Sequence, residues 1–492
     1  MIAQNRLHQF TLRAGATFLI LLSLCAALPI HPQGPFDARD YSVIPGIRLE
    51  FPGHLAMVEP LMAPLHILAG APDYRLACLS TLIWVVIAAA AWRFLGVFQT
   101  QQPSSLGIRI LRAAATAGIS LSVILLWFCF TLAVRIPGWR LVVDDPHTLV
   151  ADLHSHTFGS HDGLVSGPES LANHAAAGFN VVAISEHGYP AGAFNTERDK
   201  LNPPASTPGV ITGQEFLFSR SGGHWLALGL KSDYQNHLNR HHKDFPSCFI
   251  DYIHQNQHGA MIAMGYKLRP DEAQMLADAG IDGFEIANFG HPNLPSDVRE
   301  AIVNVARERG VALVASSDWH GWGGVSRTWT VIRNPASPKG TQISKSDQVI
   351  QKLRERGTSD VIPVVAGYLG PPSIWRVVFS PFTETFRYAA ELSLARVISW
   401  WVWMVVLLGF TQGLTRIGLN SSRVLISLLL TTSGSSLLGF GLKLISLKPD
   451  GLNLSQYPQF VGKWALLLSG LALAAAAWFG LNCWRVRLRP KK

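Results

Sequence analysis

Charge is scarce in this chain. Only 15% of its 492 residues are Asp, Glu, Lys or Arg, against 48% hydrophobic. That is the balance of a membrane protein, and the length exceeds one ordinary domain. Cysteine is nearly absent. Cys25, Cys78, Cys129 and Cys483 lie in apolar segments and Cys248 alone lies in the polar region. No disulfide can form within that region, so cysteine usage leaves the compartment open. No basic stripe with interleaved aromatics runs through 150–335, so no nucleic-acid partner is expected despite the net charge of +9. The apolar runs hold few charges, the usual mark of an ion or substrate path, and read as an anchor or a lipid-access platform. The first run lacks a small-x-small cleavage site and is expected to stay as an uncleaved helix.

Six apolar runs are expected to span a bilayer: Ala14–Ile30, Leu76–Trp92, Ala113–Val134, Leu394–Phe410, Val424–Leu444 and Trp464–Leu481. Leu55–Gly70 is interrupted by Glu59, Pro60, Pro64 and His66 and reads as interfacial or re-entrant. Arginines and lysines collect at the amino end, in the 93–112 and 411–423 loops and in the tail. The positive-inside rule puts these, and both termini, in the cytoplasm. A polar block between the third and fourth runs then lies outside. The expected arrangement is an integral protein of the inner or plasma membrane with a periplasmic or otherwise extracytoplasmic domain. It divides into an N-terminal membrane region with three transmembrane helices (1–139), a polar domain (140–340), a juxtamembrane extension (341–392) and a C-terminal membrane region with three transmembrane helices (393–492).

Thirteen of the eighteen histidines fall between 151 and 325. A solvated domain has no packing need for them, which points to metal chemistry. Asp152-Leu-His-Ser-His156 sets His154 and His156 on one side of an extended segment, with His161 and Asp162 following after a turn. Pro168 opens a helix ending at Gly178. A buried strand, 179–185, then delivers Glu186 and His187, and Ile211-Thr-Gly-Gln-Glu215 repeats the shape of a strand ending in a carboxylate. His224 begins another strand, and Asp318 and His320 share one face beyond the strand 311–317. The strand–helix–strand alternation suggests an α/β barrel with its chemistry at the strand ends.

In this order the motifs Asp152-Leu-His-Ser-His-Thr157, Ser185-Glu-His187, Gly213-Gln-Glu215, His224 and Ser317-Asp-Trp-His320 resemble the polymerase and histidinol phosphatase (PHP) superfamily over about 150–335. The resemblance implies a distorted (β/α)7 barrel, here inserted between two three-helix transmembrane halves. It also implies two or three divalent metal ions (zinc, manganese or iron) and phosphoester hydrolysis by a metal-activated hydroxide. His154, His156, His187, Glu215, His224, Asp318 and His320 match the ligand positions, with Glu215 the bridging carboxylate. A further ligand is Asp162, with His161 as the second candidate. Where such proteins often carry Ala-His-Pro, this chain has Gly265-Tyr266-Lys267, and His291 could compensate. Asp318, His320 and Arg327 are the expected catalytic residues, Arg327 holding phosphate, with Arg220 and Lys267 as other candidates. His174 and His241-His242 are expected to face solvent, His254 and His258 to be structural, and Ser346–Arg356 to form an amphipathic helix capped by Ser346. The substrate expected is a phosphorylated small molecule or a lipid-linked compound at the bilayer. The alternatives are an amide or carboxyl-ester hydrolase using the same metals, and a non-catalytic metal-binding sensor.

Overall fold

The computed structural model describes residues 15–28, 34–69, 74–98, 138–188, 190–198, 207–217, 223–232, 244–291, 294–325, 327–334, 343–355, 357, 359–367, 373–447 and 456–487, with scattered positions between 107 and 133. Twelve strands occur among them. The first three are β1 (Phe36–Asp37), β2 (Ile47–Glu50) and β3 (Arg140–Val143). The polar domain continues with β4 (Leu149–Asp152), β5 (Val181–His187), β6 (Gly209–Leu217), β7 (His224–Leu228) and β8 (Ala260–Met264). β9 (Gly283–Asn288), β10 (Ala312–Ser316), β11 (Thr328–Ile332) and β12 (Val361–Val365) complete it. β2 and β3 form a two-stranded ribbon, and the other ten form one sheet in the order β1-β12-β11-β4-β5-β6-β7-β8-β9-β10.

The sheet curls into a half-barrel. Alternate residues of strands far apart in that order (Ala151, Val181, Leu226, Ile262, Val314, Ile332) meet in one buried cluster. Only a strongly curved inner face allows that, since side chains of a strand alternate between faces. The helix Lys345–Arg354 plugs one end of the curl with Val349, Ile350 and Leu353. Its cap is Ser344, which accepts a hydrogen bond from the Asp347 N–H at 3.1 Å, two residues before the expected Ser346. Outer faces are covered by helices, with Leu171 of Gly167–Ala176 on one cluster and Leu276 and Ile302 of Pro270–Asp278 and Ser296–Arg309 on another. These strands are buried on both faces, which explains their unbroken apolar reading.

The curl brings β10 back toward β4 and β11 without a backbone ladder to β11. The Thr330 hydroxyl accepts from the Ala315 N–H (3.0 Å) and donates to the Ala315 carbonyl (2.8 Å), and Thr328 donates to the Ser316 carbonyl. Beyond β10 the chain lies parallel to the segment after β4, with a bridge between Ser155 and Trp319.

This departs from a (β/α)7 barrel. β4, β5 and β6 run parallel, as do β8, β9 and β10, but β7 is antiparallel to both neighbours and follows β6 after only six intervening residues, too few for a crossover helix. β11, β12 and β1 extend the sheet antiparallel beyond β4. The reversal has a use. It puts the first residue of β7, His224, at the same end of the sheet as the carboxyl ends of β4, β5 and β6.

The membrane arrangement also differs from six spans. Among the described residues three helices are long and apolar enough to cross a bilayer: Leu394–Arg416, Ser421–Ser446 and Tyr457–Cys483. The first two expected runs fall on shorter apolar helices, Gly15–Ala26 and Leu76–Ala91, and the third, Ala113–Val134, lies mostly outside the described residues. Leu55–Gly70 forms a 3-10 turn, Gly53–Val58, and the helix Glu59–Ala69. It leans on the Leu394–Arg416 helix, where the Trp403 indole donates to the Met57 carbonyl at 2.7 Å.

Candidate metal centre

Four side chains converge at the carboxyl ends of β4, β6 and β10. His154 and His156 follow β4, Glu215 lies in β6, and Asp318 follows β10. All four are buried. The His154 and His156 Nε2 atoms are 3.0 Å apart. Glu215 Oε2 lies 3.0 and 3.2 Å from them, and Asp318 Oδ1 lies 3.3 and 3.2 Å. Four donors held about 2.0–2.2 Å from one ion at tetrahedral angles are about 3.3–3.6 Å apart, so the set is close to the size of a single-ion shell. Asp318 sits in the left-handed region at φ 51°, a conformation Asp tolerates better than most residues.

The tautomers of both histidines follow from their other nitrogens. His154 Nδ1 is 3.2 Å from the buried Glu285 Oε1. A carboxylate only accepts, so Nδ1 carries the proton and Nε2 is bare. His156 Nδ1 is 3.0 Å from Ser160 Oγ, which donates its one proton to Glu186 Oε2 at 2.5 Å and so can only accept from the ring. Glu186 is buried and also accepts from the Thr157 N–H and hydroxyl. Both rings thus turn Nε2 toward two carboxylate oxygens, and a divalent cation that displaces any proton held between them would meet a fitting donor set.

Electrostatics agree. Burial disfavours charge on every group here, yet the opposite partners win. Asp318, Glu215 and Glu285 hold His154 well above its ordinary value, and hydrogen bonds to Asp318 and Glu215 raise His156 to about 9. The same imidazoles hold Glu215 and Asp318 well below the carboxylate range. The pocket is built for positive charge.

A second group of ligands flanks the first. The His187 and His320 rings stack on His156 at 4.4 and 4.3 Å. His187 Nδ1 is 3.2 Å from Glu215 Oε2, and burial and the neighbouring His156 lower its pKa to about 3. His320 Nδ1 donates to the Asp318 carbonyl at 2.8 Å, which leaves Nε2 facing Asp162 Oδ2 at 3.2 Å. Burial opposes ionisation of Asp162, but His320 outweighs it and holds the carboxyl low. Asp162 Oδ1 is buried without a hydrogen bond. His161 is largely exposed at the outer lip, its Nε2 3.8 Å from Asp162, and it groups with Asp162 and His187 as a candidate ligand set. On the far side His224 Nδ1 pairs with Glu215 Oε1, and the two oxygens of Glu215 therefore serve different imidazoles.

Three expectations fare differently. No contact described for the cluster involves Arg327. That side chain is buried, and its charge acts on Glu384, Glu391 and Arg387 of the juxtamembrane segment. His174 does not face solvent, because it is buried with Nε2 2.9 Å from Asp152, whose carboxylate also takes the Ser317 N–H and hydroxyl. His291 Nε2 comes within 3.6 Å of Asp318 Oδ2 and its ring stacks on Tyr266 at 4.3 Å. His254 pairs with Asp282 away from the centre, at 2.7 Å. Arg220, His241-His242 and the Lys267 side chain lie outside the described residues. Sequence reasoning missed Glu285, although Gly283-Phe-Glu285 repeats the pattern of Gly213-Gln-Glu215.

No protein-family model matches the chain, and no curated protein is significantly similar to it. Some solved structures are similar. A protein assigned as a metal-dependent phosphoesterase from Bifidobacterium adolescentis is 16% identical over 42% of this chain and 96% of its own, with a TM-score of 0.29. PsfC from Pseudomonas syringae is 12% identical over 50% and 100%, with a TM-score of 0.32. An amidohydrolase from Chromobacterium violaceum, holding sulfate and no metal, is 15% identical over 35% and 87%, with a TM-score of 0.27. Scores at this level fix neither fold nor chemistry for this chain, and the site rests on its own geometry.

Proposed function

We propose that this protein is a membrane-anchored, metal-dependent phosphoesterase acting on an extracytoplasmic substrate. The observation that carries the reading is the buried set of His154, His156, Glu215 and Asp318, whose donor atoms converge with both imidazoles locked as Nε2 ligands. His156, His187 and His320, or His161, Asp162 and His187, would hold a second ion beside it. Bound divalent ions supply polarisation of a phosphoryl oxygen and activation of water near neutral pH. The chain's own groups do the rest. Glu285 and the Ser160–Glu186 pair orient the rings, and Glu215 spans the His154/His156 pair and His224. His320, with Nδ1 fixed on a carbonyl, keeps Nε2 turned toward Asp162. Choice of phosphoester over other bonds rests on the order of the motifs, and the extracytoplasmic placement rests on the distribution of basic loops.

A second reading is an amide or carboxyl-ester hydrolase, favoured by one observation: the charges that act on the buried Arg327 are those of Arg387, Glu391 and Glu384, none of them from the cluster. The test uses protein stripped of metal and reloaded with manganese or zinc. Aryl phosphate or phosphodiester hydrolysis that disappears in His154→Ala supports the proposal. Hydrolysis of aryl esters or amides alone supports the second reading, and equal inactivity of wild type and variant across the whole panel overturns both.

A further inference from the structure

The segment between the polar domain and the first long apolar helix is amphipathic in the reverse sense. Two short helices, Ile374–Val378 and Ser380–Ala390, meet at Phe379. Trp375, Phe379, Phe382 and Phe386 recur at spacings of four, three and four, which is one stripe of a helical surface. With Ile374 they are 43–69% exposed, although Trp84 packs edge-on against Phe382 at 5.1 Å. The opposite face is polar and buried. Ser380, Glu384 and Tyr388 point inward at spacings of four. Arg387 bridges Glu384 and Glu391 and donates to the His66 and Ile67 carbonyls. Tyr388 donates to Glu59 at 2.7 Å and accepts from the Trp400 indole at 2.9 Å.

A helix facing water keeps its charges outside and its aromatics inside. This one is anchored to the protein by its charges and presents four aromatic rings outward, more than scattered surface apolar residues account for. The stripe continues into the exposed Leu394, Ile398, Val402 and Val405 of the Leu394–Arg416 helix, which begins four residues after Ala390. Aromatic rings concentrate at the boundary of headgroups and acyl chains, where in-plane helices lie.

We propose that the Ile374–Ala390 segment is an in-plane anchor whose aromatic stripe is seated in the lipid bilayer interface. The chain that carries Asp318 and His320 reaches β11 through Arg327, whose charge acts on Glu384, Arg387 and Glu391 of this same segment. The anchoring holds whatever bond the centre cleaves, so failure of the hydrolase reading and failure of this one are separable.

The test is depth measurement on the full chain in phosphatidylcholine–phosphatidylglycerol nanodiscs, with the five native cysteines replaced by serine. Nitroxide labels are placed by Phe382→Cys, Phe386→Cys and, in the polar domain, Asp271→Cys. Relaxation by oxygen should exceed relaxation by a water-soluble nickel chelate at the two helix positions, and the order should reverse at 271. Equal nickel accessibility at all three overturns the proposal. Should the cysteine variants fold poorly, unmodified protein is photolabelled with a diazirine lipid and mapped by mass spectrometry. Adducts on the peptide containing Phe379, Phe382 and Phe386 are expected, and labelling of Leu394–Arg416 without that peptide overturns the proposal.

Discussion

Replacing Glu285 with glutamine tests whether the outer carboxylates set the ligand tautomers. Glu285 Oε1 accepts from His154 Nδ1, and Oε2 accepts from Asn288 Nδ2 at 2.9 Å. Asn288 cannot simply flip, because its Oδ1 accepts the His291 N–H at 2.9 Å. A glutamine amide satisfies one of the two donors and confronts the other with an N–H. When the amide nitrogen faces His154, the imidazole moves its proton to Nε2 and ceases to be a ligand. Loss of such an outer partner costs ~10–100-fold in metal affinity, or ~1.4–2.8 kcal/mol. Competition against a chromophoric chelator, in detergent at neutral pH, measures this for Glu285→Gln beside an exposed control, Glu300→Gln. Wild-type affinity and stoichiometry in Glu285→Gln would refute the tautomer argument.

Other outcomes follow from the same geometry. A Cβ at Gly290 would stand 2.7 Å from Asp318 Oδ2, so Gly290→Ala should displace that carboxylate and weaken metal binding while protease resistance of the domain is retained. Arg327→Met should lower the melting temperature and leave KM for an aryl phosphate unchanged; a raised KM at unchanged stability would return Arg327 to the site. Burial pushes the Glu59 pKa up, but the hydrogen bond from His66 and the charges of His66 and Arg396 win and hold it at about 2 against an ordinary 4.5. Because the folded value is the lower one, its contribution of ~3 kcal/mol is complete above the ordinary value and is lost as pH falls through about 2. Acid titration of unfolding should show that loss, and Glu59→Gln should flatten it.

Much of the metal centre was legible because its signals are local. A period of two aligns His154 with His156 and Asp318 with His320, and strands ending in Glu215 or His187 announce themselves by a polar residue after a buried run. What was not legible depends on direction and tertiary contact. Nothing local says that β7 runs backward, so the strand–helix alternation read as a distorted (β/α)7 barrel without that reversal. His174 has the spacing of a surface helix residue and becomes buried only because the Gly167–Ala176 helix packs over Asp152. Arg327 is seven residues from His320 in sequence, yet it is buried where the charges of Arg387, Glu391 and Glu384, some sixty residues further on, act on it. Ser160 and Glu186 read as a turn residue and a strand-end acid, and only their meeting beneath His156 gives them a role.

Anomalous diffraction tests directly whether His154, His156, Glu215 and Asp318 jointly hold a divalent cation. Crystals grown with zinc, or with manganese, should give an anomalous difference peak at the metal's absorption edge. A peak within bonding distance of both Nε2 atoms and both carboxylates is expected, lost in His154→Ala. A fully loaded crystal with no peak there, or with its peak only at other residues, would contradict it.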